Sequence, residues 1–107
     1  MTNHSPCQFD NEGFLLDHNS WTEALAKEIA LSSGIVLNTD HWEIIHLARE
    51  YYAEFDLSPV NRTLVKYVKT KLGADKGNSI YLNSLFSGSP AKLASKIAGL
   101  PKPTNCL

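Results

Sequence analysis

The chain has 107 residues, of which 43% are apolar and 20% charged, with a formal net charge of −1. That length suits one domain and that balance an ordinary globular protein. No apolar run approaches the about 20 residues that span a bilayer. The opening MTNHSPCQFDNEGF has neither a basic cluster nor an apolar stretch, so it does not read as a secretory signal and a cytoplasmic location is expected.

Residues 1–8 are polar, carry Ser5-Pro6, and are expected to form a disordered extension. Phe9 to Leu15 resembles a β-hairpin, with Asp10-Asn11-Glu12-Gly13 as its turn. A lone hairpin is marginal, so it must pack on the rest. Ser20-Trp21-Thr22-Glu23 has the pattern of a capping box with Ser20 as the cap. Trp21, Leu25 and Ile29, with Ala24 and Leu31, follow at helical spacing, and Gly34 reads as the stop. Asn38-Thr39-Asp40 opens a second helix whose stripe is Trp42, Ile45, Leu47, Ala48, Tyr51, Tyr52 and Phe55. The large rings here, Trp21, Trp42, Tyr51, Tyr52 and Phe55, are expected in the core.

Asp56-Leu57-Ser58-Pro59 breaks that helix. Ser58 is expected to cap a third one with Pro59 at its first position. Leu64, Val65 and Val68 then face the core, and Gly73 ends the helix. A turn at Lys76-Gly77-Asn78 leads into a short fourth helix, Ser79 to Phe86. Ser89-Pro90 repeats the cap-then-proline device and opens a fifth, to Ala98, stopped by Gly99. The predicted fold is mainly α: a small bundle of about five helices with an N-terminal β-hairpin and a flexible C-terminal arm. The divisions are 1–8 extension, 9–98 helical domain and 99–107 arm.

The small net charge hides an asymmetry. Residues 1–56 hold ten carboxylates against Lys27 and Arg49, and residues 57–107 hold eight bases against Asp75. A basic half can steer acidic partners, or the two halves can fold together and neutralise each other. Cys7 and Cys106, the two cysteines, lie near opposite ends, with no CxxC and no zinc spacing. A reducing cytosol disfavours a disulfide between them. His41 and His46 are five apart and do not share a helix face, so no metal site is expected.

The ending GLPKPTNCL poses the sharpest question. Pro101 and Pro103 fix φ and favour extended geometry, presenting Cys106 on a stiff tail. Lys102 favours the thiolate there and the terminal carboxylate opposes it. With KIAGLPKPTNCL, further segments carry a resemblance: Asn11-Glu12-Gly13-Phe14-Leu15, His41-Trp42-Glu43, Ser58-Pro59, Lys76-Gly77-Asn78-Ser79 and Gly88-Ser89-Pro90-Ala91-Lys92. From about Phe9 to the last residue the chain resembles the DsrC/TusE family of sulfur-carrier proteins.

The resemblance implies a helical domain with a mobile arm whose penultimate cysteine, here Cys106, accepts sulfur as a persulfide and hands it on. In the DsrC branch a second cysteine precedes it with ten residues between; that position here is Ser95, which cannot form the DsrC disulfide or trisulfide. The chain is thus similar to the single-cysteine TusE branch. That branch implies a TusBCD-type donor complex, delivery towards an MnmA-like thiouridylase with its tRNA, and 2-thiolation of the wobble uridine. It implies a sulfur carrier rather than a turnover enzyme, with no cofactor, no metal, no membrane and no small-molecule substrate. Arg62 maps to an arginine near the family's folded-back arm, where a guanidinium attracts anions; Arg62 and Lys102 are the candidates to position the arm. Two alternatives remain: a one-cysteine DsrC-like protein of dissimilatory sulfur metabolism or regulation, and a helix-turn-helix DNA-binding module built on the second and third helices.

Overall fold

The computed structural model describes residues 8–103. Cys7, Cys106 and the expected disorder of the first seven residues lie outside the described residues. A short 3-10 turn, His18–Ser20, precedes five helices: α1 Glu23–Ser32, α2 Thr39–Phe55, α3 Asn61–Leu72, α4 Ser79–Leu85 and α5 Pro90–Ile97. Among the described residues no helix is long and apolar enough to cross a membrane.

The last helix in the chain is the centre of the bundle. α5 packs against each of the other four. It can do so because its buried residues, Pro90, Ala91, Ala94, Ser95 and Ile97, are mostly small and let neighbouring backbones approach. Ile44, Ile45, Leu64, Val68, Leu82 and Phe86 close round it. Of the rings expected in the core, Trp21, Trp42, Tyr51 and Tyr52 are only half-buried and Phe55 is exposed; Phe14 and Phe86 fill the interior instead. Tyr51 leans on Phe55 and Tyr67 outside the α2–α3 seam, where rings satisfy one another at the surface. Leu31 and Ile80 also face out.

Local chemistry moves several boundaries. The N-terminal β-hairpin is not formed, for there is no strand among the described residues, only a single antiparallel bridge between Phe9 and Leu15. The Asp10 carboxylate accepts from the Glu12 and Phe14 N–H groups, both at 2.9 Å, so the segment is a carboxylate-capped turn. That turn is short of the paired length a ladder needs. The cap of α1 is Thr22, which accepts from Leu25 N–H, not Ser20. Asp17 accepts from Asn19 N–H and winds Ser20 into the 3-10 turn one step earlier. Asn38 caps α2 as expected, and the reciprocal partner is His41, whose Nδ1 accepts from Asn38 N–H. Its Nε2 is left to donate to the Leu85 carbonyl, pinning α2 to the end of α4. Ser58 and Pro59 precede α3, which begins at Asn61 with no side-chain cap. The Ser58 hydroxyl is engaged elsewhere.

Half of the bases in the second half of the chain are neutralised within the fold. Lys71 pairs with Glu50, Lys76 with Glu43, and Lys92 and Lys102 both with Glu12, each joining the basic half to the acidic half.

Candidate functional site

The site is the root of the C-terminal arm, and it begins as a helix terminus. The last carbonyls of any α-helix lack partners within the helix. Here Gly99 adopts φ +74, Gly99 N–H donates to Lys96 and Leu100 N–H donates to Ser95, which is the Schellman closure with glycine in the left-handed position. Two side chains from elsewhere take the next carbonyls. Trp21 Nε1 donates to Ile97 at 2.8 Å, and Arg49 Nη1 donates to Ala98 at 2.7 Å. The Arg49 guanidinium also lies 4.2 Å from the Trp21 ring centroid. Burial pulls the Arg49 pKa down from its usual value, yet a guanidinium starts so high that it keeps its charge.

Beyond Gly99 the chain stays docked. Leu100 belongs to the core at 1% exposure. Ser58, buried, donates to the Pro101 carbonyl at 2.5 Å. Lys102 Nζ donates to Glu12 Oε2 at 2.9 Å. Lys102, reinforced by Lys92, holds the Glu12 carboxyl below its ordinary pKa. Pro103 is buried. A cleft of about 190 Å³ lined by Tyr52, Asp56, Leu57, Ser58, Pro101 and Lys102 lies alongside.

The tail is therefore not a free, stiff projection from Gly99 onward. Leu100 and Pro103 are buried, and the exposed Pro101 and Lys102 are held by Ser58 and Glu12. Of the residues singled out in the sequence, Pro101, Lys102 and Pro103 come together here. Arg62 does not join them: it is exposed on the first turn of α3 and makes no hydrogen bond or ion pair among the described residues. Cys106 lies outside the described residues. No group of three or more metal-ligating side chains occurs among the described residues.

The residues that seat the arm, Trp21, Arg49, Ser58 and Glu12, escaped the sequence reading. Arg49 carried the one available signal, as a base set inside the apolar stripe of an acidic helix. Ser95 sits beneath the arm at 0% exposure, and its hydroxyl finds no partner among the described residues.

The profile of the family described as "DsrC like protein" matches residues 1–107. The chain belongs to the DsrC-like family. A protein named sulfurtransferase TusE from Salmonella choleraesuis is 52% identical over 98 residues, covering 92% of this chain and 90% of its own. The sulfurtransferase TusE of Escherichia coli strain K12 is 50% identical over the same shares. Among solved structures, the NMR structure of Allochromatium vinosum DsrC superposes with a TM-score of 0.86 at 46% identity, covering 94% of this chain and 90% of that one. In this DsrC-like chain the buried position under the arm is a serine.

Proposed function

We propose that this chain is a sulfur-relay protein of the TusE type, carrying sulfur on Cys106. The observation that carries the reading is the half identity with proteins named sulfurtransferase TusE over nine-tenths of the chain, joined to the serine at position 95. A buried serine cannot pair with Cys106, so the arm has a single thiol and works by relay rather than by an internal disulfide cycle.

The chemistry is thiolate attack on a sulfur–sulfur bond. The Cys106 thiolate attacks the outer sulfur of a donor Cys–S–SH. The donor's S–S bond breaks, its thiolate leaves, and Cys106 becomes a persulfide; the outer sulfur keeps its oxidation state. An acceptor thiolate then repeats the attack on Cys106. The donor is a TusBCD-type complex, and delivery runs towards an MnmA-like thiouridylase that thiolates the tRNA wobble uridine, which puts the step in the cytoplasm. The anchors from Trp21 to Glu12 have a positioning role: they hold the arm's origin, so that only the residues past Pro103 need to enter a partner. Lys102 acts through Glu12, and Arg62, outside the arm's seat, takes no part in holding Cys106. In this reading residues 9–98 serve as body and 99–107 as arm, with 99–103 seated on the body.

Intact mass spectrometry tests this. Reduced protein is incubated with a cysteine desulfurase, cysteine and the donor complex, with Cys7→Ser and Cys106→Ser alongside. The expected result is gain of one sulfur atom in wild type and Cys7→Ser and none in Cys106→Ser. No gain in any chain, with the donor shown to be loaded, replaces the relay with a regulator that uses the arm only to dock.

A further inference from the structure

Of the eight bases in residues 57–107, four are tied to carboxylates of the first half, and Lys96 lies 5.9 Å over the Phe14 ring. The remaining three are Arg62, Lys66 and Lys69. All are exposed, and none of their side chains has a hydrogen bond or ion pair among the described residues. They stand at i, i+4 and i+7 on α3, which contains no acid. That spacing places them within about 60° of one another round the helix and along about 10 Å of its axis, away from the buried Leu64 and Val68. Cations without a partner are therefore concentrated in one stripe, while the other five bases of the half are engaged by carboxylates or a ring.

The stripe begins three residues after Pro59, and the neighbouring Ser58 holds Pro101. It thus starts four residues along the chain from one of the arm's anchors. We propose that this stripe docks on an acidic protein surface at the rim of the site that receives the arm. A protein suits the place better than a nucleic acid for two reasons. Three exposed cations on one helix are few beside the roughly six to ten phosphate contacts of duplex-binding proteins. The stripe also has no ring interleaved among its cations on which a base could stack. Complementary charge of this kind speeds encounter and orients the partners more than it adds affinity.

The inference rests on the relay reading, and one experiment separates the two. Sulfur transfer from the loaded donor complex to Cys106 is followed by mass spectrometry at 20 to 300 mM salt, for wild type and for Arg62→Gln/Lys66→Gln/Lys69→Gln. Loading by hydroxyethyl persulfide, a small donor with no protein surface to dock, is measured in parallel. Wild-type transfer is expected to slow as salt rises. The triple variant is expected to be about tenfold slower at low salt and nearly indifferent to salt. Both chains should load equally from the small persulfide. Equal transfer by both chains from the donor overturns the docking surface and leaves the relay standing. A wild type that takes no sulfur from a loaded donor overturns the relay reading and the surface with it. Stripe-dependent binding of a labelled DNA duplex or tRNA, with transfer unaffected, assigns the stripe to nucleic acid and overturns the protein partner.

Discussion

At the scale of single residues, the arm's seat is made of contacts whose partners stand far apart in the chain. Trp21 and Ile97 are 76 positions apart, Ser58 and Pro101 43, and Glu12 and Lys102 90. Such pairs leave no local signature, so Ser58 reads as a helix cap from its neighbours alone. The Glu12 contact predicts a pH dependence. Lys102 first, then Lys92, lowers the Glu12 pKa in the fold from an ordinary value of 4.5. A carboxyl whose native pKa is depressed adds stability that is fully present above its unfolded value and is lost as pH falls through the native one. Wild type is therefore expected to be more stable than Glu12→Gln at pH 7, with the gap narrowing as pH falls below 4.5. Urea unfolding of both chains across pH 3 to 7 checks this; a gap that does not narrow between pH 5 and pH 3 would mean that charge is not what Glu12 contributes.

At the scale of elements, what was legible is what is written locally. Asn38 as a cap, Pro90 at the first position of α5, and Gly34, Gly73 and Gly99 as stops all hold, because each acts within a turn of its own position. The hairpin failed for the same reason in reverse: the turn signal in Asp10 to Gly13 is real, but nothing beyond it supplies a ladder. Gly99 shows how an element end becomes part of a site. Its left-handed φ alone makes alanine unfavourable by about 1–2 kcal/mol. A Cβ there would also lie 2.4 Å from Trp21 Cδ1. Gly88, with φ +91 and open space round it, has only the backbone cost. Gly99→Ala is thus expected to destabilise more than Gly88→Ala and to shift Trp fluorescence as Trp21 is pushed from Ile97. Equal urea midpoints for the two variants, with unchanged fluorescence, would contradict the close packing of Trp21 on the arm.

At the scale of the whole molecule, body and arm do not divide where composition changes. Gly99 marks the end of α5, yet Leu100 is a core residue and Pro103 is buried. The sequence shows a proline-rich tail and no sign of that burial, since Leu100 stands alone between glycine and proline with no period to place it. Two truncations separate fold from function. Deleting Asn105 to Leu107 removes the thiol and none of the anchors named above, so sulfur uptake should vanish while thermal stability stays nearly unchanged. Ending the chain at Ile97 removes Leu100, whose loss from a core costs about 2–5 kcal/mol by comparison with leucine-to-alanine series. It also removes the Ser58, Arg49 and Glu12 contacts. At roughly 4–8 °C per kcal/mol for a domain of this size, the melting temperature should fall by about 10 °C or more. If the short deletion lowers stability as much as the long one, the last three residues belong to the fold. If neither does, residues 99–103 are a strap laid on a body that is complete without it, and the relay's reach begins at Gly99.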